Sequence, residues 1–288
     1  EKGFIYFPTP RSISSSSGDD EGSRERFSIS LNLSNTNALY DSAEVSYYTQ
    51  ETEQSQITVQ NQVSFFGGMQ APPTPTMRIR DFDFNQSIDG FSFEAYKSIG
   101  DYQMIYGLDI EDTETERPRM LTEINLITGM ATNIVDGETY PNKTFPDSET
   151  KRRALFFNNR FGLSDSSVLT LGFRYDDYEL NTSPDLLLSN ANILNYQISN
   201  TEDSAFTFKL GYLQDLSENL TGFVQYAEGF KAPNYETSNT VFTNYLYFYT
   251  VTPNPNLGSE ESDTIEVGLR GSGENDSWEL AMYRSEVE

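Results

Sequence analysis

The aromatic residues of the stretch YLYFY stand out because the segment around them, 229–262, is typical of an exposed loop. Tyr245, Tyr247 and Tyr249 alternate, so an extended backbone would place their three hydroxyl groups on one side. Phe248 adds a ring that can stack on a planar group. Two interpretations follow from this pattern: the rings face lipid headgroups as part of an interfacial girdle, or they contact a flat ligand.

The composition limits the chemistry that the other side chains offer. Histidine and cysteine are absent from the 288 residues, so the commonest catalytic base and the commonest metal ligands are missing. The formal net charge of −25 argues against a nucleic-acid partner, because phosphate binding needs clustered cations. No nucleophile elbow and no glycine-rich phosphate loop occurs. We therefore predict no catalytic residue and no enzymatic activity.

Acidic clusters at 17–25 and 109–116 offer the oxygen ligands that Ca²⁺ prefers. Neither cluster has the spacing of an EF-hand loop, and a run of like charges is usually a solvated face. No metal site is predicted.

Strict alternation of apolar and polar residues dominates the chain, and this pattern indicates β-strands. Leu169, Leu171, Phe173 and Tyr175, for example, share one face of their segment. The pattern predicts about twelve strands, near 25–34, 41–50, 55–65, 77–86, 90–98, 102–113, 151–163, 167–180, 204–214, 219–230, 261–271 and 275–286.

Tight turns and long polar segments separate these predicted strands, and no helix is predicted. Turns are expected at 87–90, 162–167 and 215–220, and long loops at 114–150, 181–203 and 231–260. Because short and long connections alternate, the long loops should all leave the sheet at one end.

Two all-β architectures fit this pattern. A soluble β-sandwich would have shorter strands, usually about 5 to 7 residues. A transmembrane antiparallel β-barrel has strands of about 9 to 11 residues, aromatic interfaces and a polar lumen. The strand lengths favour the barrel. The opposite, polar face carries charges that suit such a lumen, namely Arg174, Lys209, Glu266 and Arg270.

Two short boxes near the C-terminal end resemble the paired signature of TonB-dependent outer-membrane receptors for haem and haemoproteins, the haemoglobin/transferrin/lactoferrin receptor group. The first box is Phe230, Lys231, Ala232 and Pro233, and the second is Asn254, Pro255, Asn256 and Leu257. Segments 106–119, 142–150 and 171–180 also resemble the group, in the same order.

This resemblance implies a barrel of about 22 strands that is plugged by an N-terminal globular domain. Residues 1–288 would then be a partial barrel domain, without the plug and without the last strands. The resemblance also implies an outer-membrane location and active uptake of haem, which would be a transported ligand rather than a resident cofactor. The energy would come from the TonB complex acting through the missing plug.

The resemblance also implies functions for residues of the loop between the boxes. Receptors of this group carry a haem-ligating histidine there, whereas this chain has none. A tyrosine phenolate can hold ferric haem iron instead, which makes Tyr245, Tyr247 and Tyr249 candidates and leaves Phe248 to stack on the porphyrin. Lys231 could meet a propionate, or it could pair with Glu228 or Glu236. The prolines of the boxes suit strand ends.

The missing histidine makes a ferric siderophore, or another scarce nutrient, the alternative substrate within the same class. Outside that class, a passive porin and a soluble β-sandwich adhesin stay open.

Overall fold

The computed structural model describes residues 11–64, 72–244 and 249–288, and this part of the chain is almost entirely β-structure. Two short helices are α1 (Leu186–Ala191) and α2 (Tyr235–Asn239). The strands are β1 (Arg11–Ser34), β2 (Ser42–Ser64), β3 (Thr74–Ile99), β4 (Tyr102–Glu116), β5 (Arg119–Asn125), β6 (Ala131–Thr132), β7 (Ile134–Val135), β8 (Glu138–Thr139), β9 (Asp147–Ser164), β10 (Ser167–Ser183), β11 (Thr201–Ser217), β12 (Leu220–Lys231), β13 (Phe242–Asn244), β14 (Tyr249–Val251), β15 (Glu260–Ser272) and β16 (Ser277–Val287).

One antiparallel sheet contains twelve of these strands. Its path runs β1-β2-β3-β4-β9-β10-β11-β12-β15-β16, while β5 pairs with β3 beyond the end of β4 and β6 pairs with β5. Two small hairpins, β7–β8 and β13–β14, lie outside it. The predicted all-β antiparallel architecture is confirmed.

The connections alternate in length, as predicted. The segments after β4, β10 and β12 are long and leave one end of the sheet, which we call the loop end. At the other end, the turn end, β9 and β10 are joined through Asp165 and Ser166, and β11 and β12 through Glu218 and Asn219. The predicted turns at 162–167 and 215–220 are therefore confirmed.

Four predicted strands are in fact halves of two long ones. The strands predicted at 41–50 and 55–65 belong to β2, and those predicted at 77–86 and 90–98 belong to β3. The turn predicted at 87–90 is wrong, because Gly90 lies inside β3 directly opposite Tyr48. A Cβ on Gly90 would stand 2.2 Å from the Tyr48 ring, so glycine is needed there for packing and not for a turn.

Both helices lie in the long connections, where no helix was predicted. Asp185 caps α1 by accepting a hydrogen bond from the Leu188 amide, and Asn234 caps α2 by accepting one from Thr237. Each has a single turn or slightly more, which is too short for a helical period to show in the sequence. Among the described residues, no helix is long and apolar enough to cross a membrane.

The strand register aligns the apolar residues of neighbouring strands on one face, which we call the outer face. One row of partners across the sheet is Val45, Phe93, Leu108, Leu155, Tyr175 and Phe206. Leu155 is 59% exposed and Phe206 62%, so this face is not buried by any other part of the described chain. An apolar belt of this kind is what a strand-built wall presents to hydrocarbon.

The belt occupies only part of the strand length. On β10, the outward positions are apolar from Leu169 to Tyr175 and then become Asp177 and Glu179. On β3 the change comes after Phe91, and the strand continues for about 15 residues, roughly 50 Å, toward the loop end. The first three strands therefore stand far above the belt.

The opposite, inner face carries the polar and charged side chains, so a charge should be tolerated on one face and rejected on the other. We expect Leu171→Arg, at the centre of the belt, to lower the free energy of unfolding in lipid by about 2–4 kcal/mol. Thr170→Arg, one residue away on the inner face, should change it by less than about 1 kcal/mol. Urea unfolding of the full-length protein in vesicles measures both values. Equal costs would contradict the assignment of the faces.

Candidate ligand-binding site

A cavity of about 450 Å³ opens on the inner face near the loop end. We call it the inner cavity. It is lined by Tyr48, Asp109, Glu111, Arg152, Arg174, Asp176, Tyr178, Phe230, Lys231 and Ala232, among others. The lining thus brings the first box together with Arg174, which the sequence placed on the polar face of a distant strand.

Strand alternation positions the cations of the cavity, and neighbouring carboxylates orient them. On β10, the side chains of Arg174, Asp176 and Tyr178 all point inward, because Tyr175 and Asp177 point outward. The Arg174 guanidinium lies 3.1 Å from Asp109 Oδ2 and 2.9 Å from Asp176 Oδ2. It keeps 41% of its side-chain surface exposed, so it can still meet a ligand.

Arg152, on β9, stands beside this group. Its Nη1 lies 3.8 Å from Glu111 Oε1, and the guanidinium lies 5.9 Å from the centre of the Tyr178 ring. At 62% side-chain exposure it is more open than Arg174. Neither Arg152 nor Tyr178 was among the site residues predicted from the sequence, although alternation from Leu155 places Arg152 on the inner face.

The first box forms the end of β12, where the strand gives way to the long loop. The Tyr178 hydroxyl donates a 2.6 Å hydrogen bond to the carbonyl oxygen of Pro233, and both residues are buried. Lys231 pairs with Glu260 on β15 at 3.1 Å, and not with Glu228 or Glu236 as expected. The cross-strand register sets this partner, since Lys231 lies directly opposite Glu260.

The second box forms a turn before β15. The Asn254 amide donates to the Ser238 carbonyl at 3.0 Å, and the Leu257 amide donates to Asn254 at 3.1 Å. The prolines of both boxes therefore lie where strands end, as the sequence indicated.

The three long loops pack together into an external cap instead of extending separately into solvent. Its buried side chains include Phe145, Leu188 and Val241, each at most 2% exposed. Val241 donates its amide to the Thr144 carbonyl at 2.6 Å, which joins the third loop to the first. Asn239, fully buried, bonds the backbone of Ser199 through both its side-chain atoms and so joins the third loop to the second.

Lys143 joins the first loop to the second. It is 4% exposed, and its Nζ donates to Asp147 at 2.6 Å and to Asp185 at 3.0 Å. A buried cation held by two carboxylates locks both loops in one arrangement, because separating the loops would break its ion pair with Asp185.

Charges are sorted between the two faces on the part of β1–β3 that rises above the belt. The arginines point inward, namely Arg11, Arg24, Arg26, Arg78 and Arg80, and one carboxylate, Asp20, lies on the same face. The outward positions carry Asp19, Glu21, Glu25, Glu51, Glu53, Asp81, Asp83 and Asp89. We call Arg24, Arg26, Arg78 and Arg80 the arginine row. Burial and the nearby Arg78 lower the pKa of Arg80, but an arginine keeps its charge at neutral pH.

Among the described residues, three members of the arginine row form no ion pair with a carboxylate. Arg24 bonds the side-chain oxygen of Gln50 at 2.5 Å, Arg80 bonds that of Gln60 at 2.6 Å, and Arg26 lies 3.9 Å above the Tyr48 ring. Arg78 is the exception, since it pairs with Glu123 and Asp136. The inner wall therefore offers positive charge to an anion that enters from the loop end.

A family model described as "TonB dependent receptor-like, beta-barrel" matches residues 3–288. The chain belongs to this family. Its members are outer-membrane transporters and not enzymes.

Among curated proteins, the receptor is 26% identical over 145 residues to the hemoglobin-haptoglobin utilization protein B of Neisseria meningitidis serogroup A. The match covers 48% of this chain and 17% of that protein. A serogroup C form of the same protein matches to the same extent. The matched segment thus covers less than a fifth of the length of these relatives.

Three solved structures share the fold. The copper transporter OprC has a TM-score of 0.63 at 13% identity, over 93% of this chain and 40% of its own. The ferric-catecholate import receptor Fiu of E. coli K12 has a TM-score of 0.55 at 14% identity, and the match covers 98% of this chain and 42% of Fiu. The hemophore receptor HasR of Serratia marcescens was solved with HasA and heme. It has a TM-score of 0.50 at 13% identity, and the match covers 92% of this chain and 45% of HasR.

The aromatic candidates of the receptor lie partly outside the described residues, namely Tyr245, Tyr247 and Phe248. Tyr249 begins β14, is 48% exposed, and packs edge-on against Phe242 with ring centres 6.1 Å apart. Two other loop tyrosines, Tyr140 and Tyr235, form phenolates less readily. Burial raises the pKa of both, and the charge of Glu138 raises that of Tyr140 further, as Glu236 does for Tyr235. Tyr249 is the exposed tyrosine that the described part of this loop offers.

The remaining lumen charges of the receptor are distributed along the inner face. Lys209 and Arg174 line a second cavity of about 410 Å³ that also contains Glu94 and Glu228. Glu266 accepts a hydrogen bond from Gln225, and Arg270 pairs with Glu279 at 2.6 Å. The four residues share a face, as predicted, but the last two lie away from the inner cavity.

The acidic clusters do not form a metal site within the described chain. Residues 17–25 lie within β1 and 109–116 within β4, so their carboxylates alternate between the two faces.

Removing the buried cation of the cap should loosen it. We expect Lys143→Ala to cost about 2–4 kcal/mol of local stability, because Asp147 and Asp185 would be left facing each other. Lys151→Ala is the control, since its pair with Glu149 is solvent-exposed and should be worth less than about 1 kcal/mol. Hydrogen exchange of the α1 amides measures both effects. Unchanged protection in Lys143→Ala would contradict the locking function.

The lock should also fail in acid. Burial alone would raise the pKa of Asp185, but hydrogen bonds from the Leu188 amide and from Lys143 outweigh it and lower the pKa. A lowered folded pKa stabilises the cap above the unfolded value of about 3.9, and this stabilisation is lost as pH falls through the folded pKa. We expect α1 protection to be constant from pH 7 to about 4 and to fall below it, by hydrogen exchange corrected for intrinsic rates. Asp185→Asn should show less of this dependence.

Proposed function

We propose that the protein is the barrel portion of a receptor that takes up haem or haem iron across the outer membrane, driven by TonB. The observation that supports this most is the inner cavity, where the first box meets an open pair of cations. The relative from Neisseria is named for hemoglobin-haptoglobin utilization, and the HasR structure is described with heme.

The inner cavity offers two kinds of contact that haem requires. Arg152 and Arg174 keep much of their side chains exposed and would meet the propionates. Phe230, which is partly exposed, supplies ring surface for the porphyrin. Its volume of about 450 Å³ lies within the usual range of small-molecule sites.

The arginine row would act before the inner cavity does. An anion arriving at the loop end meets carboxylates on the outer face and guanidinium groups on the inner face. Electrostatic focusing of this kind raises the local concentration of an anion within the lumen and falls as salt screens the charges. Uptake then needs no bond to be made or broken: the ligand is captured at the loop end and passes inward when the plug rearranges.

The iron contact would come from the loop between the boxes. Tyr249 is exposed there, and Tyr245 and Tyr247 stay candidates from the sequence. Burial and a neighbouring carboxylate disfavour the phenolate form of Tyr140 and Tyr235, because each raises the pKa of the phenol.

A ferric siderophore is the second candidate. The arginine row and the absence of histidine suit an anionic ferric chelate that supplies its own iron ligands. The structural likeness to Fiu, described as a ferric-catecholate import receptor, agrees with this alternative.

Titration of the full-length receptor in detergent with ferric haem, followed at the Soret band, tests the first candidate. We expect saturable binding that Arg152→Gln and Arg174→Gln each weaken about tenfold, as for a lost charged hydrogen bond of ~1.4 kcal/mol. Arg153→Gln is the matched control, because Arg153 neighbours Arg152 but points to the outer face. No saturable haem binding, together with tight binding of a ferric catecholate, would select the siderophore instead.

The same titration locates the iron contact. We expect a tyrosinate-type spectrum that is lost in one variant among Tyr245→Phe, Tyr247→Phe and Tyr249→Phe, since phenylalanine keeps the ring and removes the oxygen. Tyr140→Phe, at a buried position of the cap, is the control and should leave the spectrum unchanged. A spectrum unaffected by all three variants would rule out this loop as the source of the ligand.

A further inference from the structure

The sheet separates between β11 and β12 toward the loop end. The two strands pair from Ser217 opposite Leu220 up to Lys209 opposite Ala227, and no further. Beyond that point β11 continues to pair with β10 as far as Thr201, and β12 continues to pair with β15 as far as Lys231. One edge of β11, Thr201–Phe208, is therefore left without a strand partner on its β12 side.

The end of β12 leans over the inner face instead of following β11. Phe230, Lys231 and Ala232 line the inner cavity together with residues of β2, β4, β9 and β10, whereas β11 contributes none of the lining. The Tyr178 hydroxyl, on β10, reaches past β11 to the Pro233 carbonyl at 2.6 Å. We call residues 228–233 the strap.

Carboxylates occupy the places on the β11 edge that a strand partner would take. The Phe208 amide donates to Glu228 Oε2 at 2.9 Å, and the Ser204 amide donates to Asp203 Oδ1 at 2.8 Å. Higher up, the Ser259 hydroxyl donates to Asp203 and spans the gap. Unpaired strand edges in native proteins are protected in such ways, and here the protection can be removed without unfolding either strand.

The register of the formed ladder defines what the strap would meet if it moved outward. Continuing the antiparallel pairing places Glu228 opposite Phe208, Gly229 opposite Thr207, Phe230 opposite Phe206, and Lys231 opposite Ala205. Phe206 already stacks on Phe173 at 5.8 Å and is 62% exposed on the outer face. Phe230 would cover it as a cross-strand aromatic pair.

We propose that the strap alternates between two positions. In the inward position its end closes part of the inner cavity and is held by Tyr178. In the outward position it completes the β11–β12 ladder and leaves the cavity open to the loop end. In the inward position, the side chains of Tyr178 and Glu228 bond the Pro233 carbonyl and the Phe208 amide, whereas in the outward position the ladder would take over from Glu228. A ligand that occupies the cavity would shift the balance between the two positions.

Cysteine crosslinking in the full-length receptor tests this proposal, since these 288 residues contain no cysteine of their own. The reporter pair, Ala205→Cys with Lys231→Cys, lies directly opposite only in the outward position. The control pair, Gly211→Cys with Gln225→Cys, lies opposite on the same face in the formed part of the ladder. Disulfide formation under mild oxidation, without ligand, is followed by mass spectrometry of peptides.

We expect the control pair to crosslink fast and the reporter pair slowly but completely. Tyr178→Phe should accelerate the reporter pair about fivefold, the effect of one net hydrogen bond, and leave the control pair unchanged. Glu228→Ala should act in the same direction, because it frees the Phe208 amide for the ladder. Glu228→Ala is the second variant, and it tests the proposal if Tyr178→Phe does not fold.

Two results would overturn the proposal. A reporter pair that never crosslinks in any background would mean that the strap is fixed inward. A reporter pair as fast as the control in the otherwise unchanged receptor would mean that the wall is closed at this point. Since no ligand is added, neither result depends on whether haem is the substrate.

Discussion

The backbone hydrogen-bond ladder is the constraint on which the other features of this receptor depend. Hydrocarbon offers no partner for an amide or a carbonyl, so a wall in a membrane must satisfy each group within the sheet. Between its two edge strands, the antiparallel path from β1 to β16 does this everywhere except at the upper part of β11 and β12, and it fixes the register of the paired strands. Once the register is fixed, alternation alone decides which side chains face lipid and which face the lumen. Arg152 and Arg153 thus serve different environments although they are neighbours.

The same alternation reconciles a strongly acidic chain with an interior suited to anions. A net charge of −25 would repel an anionic ligand if the charges were spread evenly. On the tall part of β1–β3 they are not, because the carboxylates other than Asp20 take outward positions and the arginines take inward ones. The outer surface keeps the exposed wall soluble, while a ligand within the lumen is close to the guanidinium groups. How well the interior suits an anion therefore depends more on how the charges are distributed between the two faces than on the net charge.

The sequence predicted the features that depend on alternation and missed those that depend on packing between distant segments. The faces of β10 and the single loop end follow from period two and from connection lengths. Gly90 was misread as a turn residue, because the ring of Tyr48 that requires it is 42 residues away in sequence. The external cap was missed for the same reason. Lys143 lies in an irregular segment, and nothing local indicates that Asp185 will meet it.

The departure from the ladder at β11 and β12 lies next to the first box, and the chemistry of the box explains why. Strand β12 ends at Lys231, and Pro233 removes a backbone donor two residues later, so the last residues of the strand gain less from staying in the sheet. Tyr178 offers the Pro233 carbonyl a buried donor elsewhere. The end of β12 thus has two sets of partners, one in the wall and one in the lumen. In the two-position proposal, the first box therefore lines the cavity and also sets the choice between two backbone arrangements, which would couple the wall to whatever occupies the cavity.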